Sequence, residues 1–351
     1  MNERENYLRN ARFQNPKYIP VNIAINGSTF ELYKSDLDDV LIRYPEFFPN
    51  FKKGSIDYNN LTFPAACRKN EKFTDSWGCT WCSSQNGIEG VVINAPLEDW
   101  NSFANYKIPN PETQADRSIR DWDLEAKWIK SSYEKKQLTS GGLSHGFLFL
   151  RLQYLRGFEN FMCDMALDEP LLQELIDKID EHNLYIINRY LDLGVDIMEI
   201  PEDLGMQTSL VISPDMFRKW ILPSYNKLIV PCKKKNTLVA LHSDGYIMDI
   251  ADDLVNSGID IINPQDLCNG IDNIAKTLKG RTCIRLDIDR TKIIPYGTRS
   301  EIFELIEEEV KKLGSPQGGL EFIAGIYPPT SPDNLNYLCE ALKKYRTYWF
   351  E

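Results

Sequence analysis

The sequence predicts an α/β protein whose parallel strands close into a barrel, and three observations support this. Strand-like and helix-like segments alternate through the second half of the 351-residue chain, and this alternation requires parallel strands because each helix carries the chain back along the sheet. A polar side chain follows each strand, which is typical of barrels that hold their chemistry at one end. The sequence contains no GxGxxG or GxxxxGK[ST] phosphate loop, which disfavours an open nucleotide-binding sheet.

The helices are predicted from apolar residues at helical spacing and from the residues that start and stop them. Apolar spacing predicts a helix over 170–193, which Gly194 ends. Ser213 followed by Pro214 predicts a helix that runs to about residue 235, because serine caps helices and proline fits their first turn. Further helices are predicted over 246–256, 271–278, 300–313 and from Ser331 to the C-terminus, with stops at Gly258, Gly280 and Gly314.

Short segments rich in β-branched residues lie between these helices. They predict strands near 195–200, 237–242, 259–263, 282–287 and 320–325. We expect these five strands to be parallel and consecutive around one sheet. The segment that begins at Gly87 predicts a turn and a further strand.

Polar side chains at the ends of these strands are the first candidates for a site, because the carboxyl ends of barrel strands converge on one mouth. Each of them also has a second interpretation as a turn or helix-cap residue, for which Asp, Asn and Ser are common. His242 is the hardest to explain as a turn former. The strand-end side chains are Glu199, Glu202 and Asp203, then His242, Ser243 and Asp244, then Asn263, Gln265 and Asp266, then Asp287 and Asp289, and finally Tyr327.

The histidines are few, at positions 145, 182 and 242. His182 falls within the predicted helix over 170–193 and is interpreted as solvent-facing. His242 stands at a strand end, where an imidazole can bind a metal or exchange a proton near neutral pH.

The stretch Gly78-Cys-Thr-Trp-Cys82 has the CxxC spacing of metal clips and redox pairs. A structural zinc site needs a second such pair nearby, and a redox pair needs to open a helix after a strand; the sequence around Cys79 and Cys82 has neither. We therefore predict that both cysteines are dispensable for metal binding. Trp77, Trp81 and Trp100 lie in the same part of the chain, either as an aromatic lid over a substrate or as core residues.

Composition excludes some classes of function. The net charge of −11 leaves no excess of positive charge for a nucleic-acid backbone. No run of 18 apolar residues occurs, and the N-terminus is polar where a signal peptide would be apolar. We expect a cytoplasmic protein that binds neither nucleic acid nor membrane.

Several segments together resemble the uroporphyrinogen decarboxylase superfamily, whose relatives include zinc-dependent methyltransferases linked to cobalamin. In the second half they are DLGMQ from Asp203, ISPDMFRKW from Ile212, HSDG from His242, GIDIINPQ from Gly258 and GIYPPTSPDNL from Gly325. In the first half ARFQNPKYIPV from Ala11, DSWG from Asp75, PLEDW from Pro96, YKIPNP from Tyr106 and LRGFEN from Leu155 are similar to the methyltransferase-like branch. The resemblance implies one domain over 1–351, a (β/α)8 TIM barrel in which residues 1–120 form an N-terminal elaboration over the mouth and the first barrel elements.

Two departures from the relatives bear on the reaction. The tetrapyrrole decarboxylases carry arginines early in the chain to pair with substrate carboxylates, whereas the matching stretch over 21–33 has none. The zinc methyltransferases carry His-x-Cys-Gly at the strand end and a later cysteine, whereas this chain has His242-Ser-Asp-Gly and, near the later position, Ile326 and Tyr327. A zinc site here would therefore use nitrogen and oxygen ligands.

The resemblance implies a metal-assisted methyltransferase that moves a methyl group from a small donor, such as an aryl methyl ether, to the cobalt of a separate corrinoid protein. The alternative is a cofactor-free decarboxylase of an aromatic acid, and a binding protein without chemistry is a third. A homodimer is one possible assembly. The implied roles are catalysis by Asp75, Glu202 and Asp203, substrate binding by Trp77, Asn263, Gln265, Asp287 and Tyr327, and zinc binding by His242, Asp203 and Asp244.

Asp75 keeps two interpretations. It orients the substrate, as an aspartate of the decarboxylases does, or it caps the turn before Trp77 and Gly78. For the metal, the alternative is a hydrogen-bonded network of His242, Asp203 and Asp244 that holds an organic substrate or transfers protons without a metal.

Overall fold

The structure is a computed structural model that describes residues 1–350. The strands are β1 Val21–Ile25, β2 Lys72–Thr74, β3 Thr80–Cys82, β4 Val91–Asn94, β5 Ser140–Gly142, β6 Ile197–Glu199, β7 Glu202–Asp203, β8 Leu238–Asp244, β9 Ile261–Pro264, β10 Cys283–Asp287 and β11 Leu320–Ile326. The helices before β6 are α1 Glu3–Ala11, α2 Gly27–Tyr33, α3 Asp38–Arg43, α4 Trp122–Glu134, α5 Phe149–Arg156, α6 Phe158–Ala166 and α7 Pro170–Leu193. Those after it are α8 Pro214–Trp220, α9 Leu222–Lys234, α10 Ala251–Asn256, α11 Asp266–Asn269, α12 Ile271–Leu278, α13 Ile293–Tyr296, α14 Arg299–Leu313 and α15 Pro332–Tyr345.

The main sheet is parallel and curled, and helices alternate with its strands. Its hydrogen-bonded order is β1-β11-β10-β9-β8-β6-β5, with β7 paired to β8 beyond the end of β6. The five predicted strands correspond to β6, β8, β9, β10 and β11, which are consecutive and parallel. This confirms the predicted (β/α)8 barrel class.

The ring of strands is not hydrogen-bonded all the way round within residues 1–350, because β1 and β5 are the two ends of the order and do not pair with each other. We call the gap between them the seam. On the amino-terminal side the seam borders a cavity of about 630 Å³, lined in part by Val21, Asn22, Gln137 and Leu138.

A smaller antiparallel sheet of order β2-β3-β4 lies at the other side of the seam. Asn86, between β3 and β4, donates from Nδ2 to Oε1 of Glu31 in α2 at 3.1 Å. Trp81 of β3 packs against Tyr154 of α5, with ring centroids 4.8 Å apart. Because α2 follows β1 and α5 follows β5, these contacts place the small sheet across the seam on the carboxyl side.

The helix predictions hold with two differences. The helix predicted from Ser213 is divided at Ile221 into α8 and α9, with Pro223 in the first turn of α9, where its missing N–H costs no helical hydrogen bond. The helix predicted over 246–256 begins with a 3-10 turn over Met248–Ile250 before α10. Helix α7 ends as predicted, with Gly194 at a φ of 77°, in the left-handed region that glycine tolerates best.

The barrel interior near its amino-terminal end holds an apolar layer next to the ion pairs that Arg285 makes with Glu199 and Glu321. Leu238 and Ala240 of β8 pack there with Ile261 and Cys283, and Tyr7 and Leu8 of α1 pack against them. Side chains two apart on a strand share a face, so His242 lies on the same inner face as Leu238 and Ala240, one layer closer to the carboxyl end. Within residues 1–350 no helix is both long enough and apolar enough to cross a bilayer.

Candidate functional site

Three side chains with metal-binding chemistry meet at the carboxyl end of the sheet. His145 follows β5, Asp203 belongs to β7 and His242 belongs to β8. Nε2 of His145 lies 3.3 Å from Oδ1 of Asp203, and Nε2 of His242 lies 3.7 Å from the same oxygen. One donor atom from each residue lies within 4.8 Å of the other two. We call these three residues the donor cluster.

Charge pairing within the donor cluster changes the protonation of its members. Burial opposes the charged form of His145, but the hydrogen bond and the negative charge of Asp203 outweigh it and raise the pKa of His145. Burial likewise opposes ionisation of Asp203, but the contacts with His145 and the N–H of Asp244 lower the pKa of Asp203. The pair therefore favours an aspartate beside an imidazole that readily takes up a positive charge.

His242 and Asn263 are opposite one another in the β8–β9 register. Nδ1 of His242 is 2.7 Å from Oδ1 of Asn263. Nδ2 of Asn263 donates in turn to the carbonyl oxygen of Arg285 at 2.5 Å. Asn263, predicted to bind substrate, thus contacts a predicted ligand and is only 3% exposed.

Asp244, predicted as a metal ligand, lies beside the donor cluster but pairs with Arg290. Oδ1 of Asp244 is 3.4 Å from Nε2 of His242. The guanidinium of Arg290 donates to both carboxylate oxygens of Asp244, at 2.6 and 2.5 Å. The negative charge of Asp244 is therefore already balanced by Arg290.

Arg290 also contacts the predicted substrate residues Asp287 and Tyr327. It lies 3.5 Å from Oδ2 of Asp287, and its guanidinium carbon is 5.6 Å from the centroid of the Tyr327 ring. Burial raises the pKa of Asp287 to about 7, which Arg290 opposes. Gln265 accepts from the N–H of Gly245 at 2.9 Å and so supports the loop after β8.

Glu202, predicted to be catalytic, points away from the donor cluster into the protein. Its carboxylate accepts from the N–H groups of Leu148, Phe149 and Leu150, at 2.6, 2.7 and 3.2 Å. Burial raises the pKa of Glu202 to about 7 against these three donors. Glu202 therefore anchors the start of α5, and with it the loop that carries His145.

Asp75 and Trp77 lie in a buried network that joins the N-terminal segment to α5. Asp75 accepts from the N–H of Cys79 at 2.9 Å and from the indole N–H of Trp81 at 2.8 Å. Arg151 of α5 pairs with Asp75 at 3.6 Å, and its guanidinium carbon is 4.6 Å from the centroid of the Trp77 ring. Trp77 is 3% exposed, so it is a core residue in this structure.

The prediction that His182 faces solvent is wrong. The side chain is buried, its ring packs against Trp77 with centroids 4.8 Å apart, and Nδ1 is 3.1 Å from the carbonyl oxygen of Pro109. Burial lowers the pKa of His182 to about 4, so the ring is neutral at physiological pH.

His145 is the site residue that the sequence did not single out. It lies in the loop after β5, a strand whose sequence is Ser-Gly-Gly. The rarity of histidine in the chain was the one available signal.

The donor cluster fits a divalent metal by its chemistry. Two imidazole nitrogens and one carboxylate oxygen form a ligand set that Zn²⁺ accepts, with a fourth position left for substrate. Among the described residues, no group of three closely spaced His, Cys, Asp or Glu donors includes Cys79 or Cys82.

Comparison with known proteins agrees with the fold. The model of the uroporphyrinogen decarboxylase (URO-D) family matches residues 87–345. A solved methyltransferase from Methanosarcina mazei is similar in structure, with a TM-score of 0.63, 15% identity, and coverage of 97% of this chain and 98% of that chain. A B12-independent methionine synthase from Shewanella sp. W3-18-1 aligns with a TM-score of 0.45 and 13% identity over 66% of this chain and 69% of that one.

No curated protein matches the sequence significantly. At 15% identity the structural likeness to the Methanosarcina protein shows the fold alone, over nearly the full length of both chains. The family match covers well over half of the 351 residues. The chain belongs to the uroporphyrinogen decarboxylase family.

Proposed function

We propose that this protein is a metal-assisted methyltransferase that moves a methyl group from a small donor, such as an aryl methyl ether, to the cobalt of a separate corrinoid protein. The observation that carries the proposal is the donor cluster of His145, Asp203 and His242 at the mouth of the barrel. The methyltransferase from Methanosarcina mazei, which has the same fold over nearly its whole length, adds support.

His145, Asp203 and His242 would hold a zinc ion. When bound, the ion supplies Lewis-acid stabilisation of negative charge on the oxygen that leaves the methyl group. In the transfer the carbon–oxygen bond breaks with its electron pair remaining on oxygen. The corrinoid partner would accept the methyl group with its own electron pair, and the phenolate released would take up a proton from solvent.

The remaining mouth residues shape and order the site. Arg290 keeps the Asp244 carboxylate paired, which limits the negative charge next to His242. Tyr327 presents an aromatic ring beside this ion pair, a surface suited to a flat donor. Glu202 anchors the loop that carries His145.

The decarboxylase remains the second candidate because of Asp287. A carboxyl whose pKa is raised to about 7 can deliver a proton to the carbon that loses CO2. Against it, Arg290 is already engaged by Asp244 and Asp287, and so is poorly placed to pair with a substrate carboxylate.

The test combines metal analysis with a demethylation assay that uses cobalt(I) corrinoid protein and a panel of methoxylated aromatics and methylamines. We expect His242→Ala and His145→Ala to lose both bound zinc and methyl transfer. Asp203→Asn should act in the same direction but more weakly. The matched control is Asp215→Asn, a carboxylate with a 94% exposed side chain, which should retain both.

Three results would change the conclusion. Full activity in His242→Ala would remove this residue from the mechanism. Metal-free wild type that still demethylates would remove zinc. No methyl transfer from any donor, together with CO2 release from an aromatic acid, would favour the decarboxylase.

A further inference from the structure

We propose that Asn263 is a positioning residue that fixes the tautomer of His242, so that the Nε2 lone pair faces Asp203 and His145. The inference deepens the proposed function, because the donor cluster needs that lone pair to bind a metal. It assigns Asn263 a role different from the substrate contact that the sequence suggests.

The orientation of the Asn263 amide follows from its partner on β10. The carbonyl oxygen of Arg285 can only accept a hydrogen bond, so the group 2.5 Å from it must be the Asn263 NH2. A flipped amide would place two oxygens against each other. Oδ1 of Asn263 therefore faces His242.

The tautomer of His242 follows from this orientation. An amide oxygen also only accepts, so Nδ1 of His242, 2.7 Å away, must carry the hydrogen. In a neutral ring Nε2 then keeps its lone pair. Nε2 is the atom 3.7 Å from Oδ1 of Asp203 and 3.4 Å from Oδ1 of Asp244, on the side of the donor cluster.

The anchor for this arrangement is rigid. The carbonyl of Arg285 belongs to the main chain of β10, so no side-chain movement can withdraw it. The Arg285 side chain is fixed as well, because Nη1 donates to Glu199 at 2.9 Å and Nε donates to Glu321 at 2.5 Å. A second partner that holds the far nitrogen of a ligating histidine is the usual way in which proteins orient such ligands.

A substrate contact by Asn263 is disfavoured by burial and by its hydrogen bonds. The residue is 3% exposed, and both its oxygen and its nitrogen already have partners within the protein.

The direct test is nitrogen-15 NMR of metal-free protein labelled at histidine, since the two ring nitrogens of each tautomer have distinct shifts. The signals of His242 are assigned by their loss in His242→Gln. We expect wild-type His242 at high pH to carry its hydrogen on Nδ1 alone. A hydrogen on Nε2 would overturn the proposal, and this measurement needs no variant at Asn263.

The variants then test the cause. Asn263→Leu should produce a mixture of tautomers and weaken zinc binding by about 10- to 100-fold. Asn263→Asp keeps an acceptor for Nδ1 but loses the donor to the Arg285 carbonyl. It should therefore keep the hydrogen on Nδ1 while lowering the stability of the protein. Asn273→Leu, at an exposed asparagine on α12, should match the wild type in both readouts.

An unchanged tautomer in a folded Asn263→Leu protein would overturn the positioning role. The tautomer is read without metal or corrinoid, so its outcome is independent of methyl transfer. Wild type that binds no zinc but shows the Nδ1 hydrogen would defeat the proposed function and leave the positioning role of Asn263 intact.

Discussion

Replacing Arg151 with methionine tests whether the N-terminal segment is held to the barrel by a buried ion network. The Arg151 side chain is 2% exposed and pairs with Asp75 and Asp116. The side chain of Asp75 is 1% exposed, so Arg151→Met leaves a buried carboxylate without its cation. We expect Arg151→Met to destabilise the protein while leaving the donor cluster unchanged.

The magnitude follows from the burial of Asp75. Breaking a buried ion pair by removing one partner costs about 3–5 kcal/mol. Within the described residues Nε and Nη1 of Arg151 have no hydrogen-bond partner, so the cost of burying the arginine is incompletely compensated. The substitution removes this cost together with the side chain. We therefore expect the free energy of unfolding to fall by about 3 kcal/mol, the lower limit of that range.

The assay is urea unfolding of a double-mutant cycle. Arg151→Met with Asp75→Asn should cost at least about 1 kcal/mol less than the sum of the two single changes, because the unpaired charge is gone. The control is Arg189→Met, whose side chain is 43% exposed and which should change stability by less than about 0.5 kcal/mol. Additive effects, or a loss below about 1 kcal/mol in Arg151→Met, would refute the reasoning.

The remaining predictions concern pH, the cysteine pair and the ligand set. Burial raises the pKa of Asp287 to about 7. The native state therefore binds this proton more tightly than the unfolded chain, and the contribution of Asp287 to stability should fall as pH rises from 4 to 7. Asp287→Asn lacks this titration. In urea unfolding, the stability of wild type relative to the variant should therefore fall by up to about 4 kcal/mol over that range. Parallel pH profiles of stability in the two proteins would contradict this prediction. Serine at both Cys79 and Cys82 should leave zinc content unchanged in metal analysis, and loss of zinc would show a ligand role. Asp203→Asn should weaken zinc binding in a competitive titration more than Asp244→Asn, because Asp244 is paired with an arginine, and the reverse order would place Asp244 in the ligand set.

The sequence predicted the second half of the fold because its strands and helices carry strong local signals. Residues 170–193 combine an apolar face with a glycine stop, and the helix occupies that range. Strand β5 carries no such signal, since Ser-Gly-Gly has low strand propensity. It forms through tertiary packing: a Cβ on Gly141 would lie 2.2 Å from the Tyr190 ring. His145, which follows β5, was therefore not predictable from local pattern.

The candidate site was predicted only in part, because local sequence does not tell which way each strand residue points. Glu202 and Asp203 are adjacent in β7, and adjacent residues on a strand point to opposite faces. Only one of them can face the donor cluster, and sequence position alone does not tell which. The structure turns Asp203 toward the histidines and Glu202 toward the start of α5.

The seam between β1 and β5 bears on what sets the width of the barrel. A closed ring of strands has one interior width, because strand number and stagger set the diameter. Here the width across the seam depends instead on the side chains that flank it, in the small sheet on one side and around the cavity on the other. Both strands that border the seam, and the small sheet beside it, lie at or before Gly142, whereas the donor atoms come from His145 onward. Substitutions in those strands would therefore change the seam without replacing a donor atom.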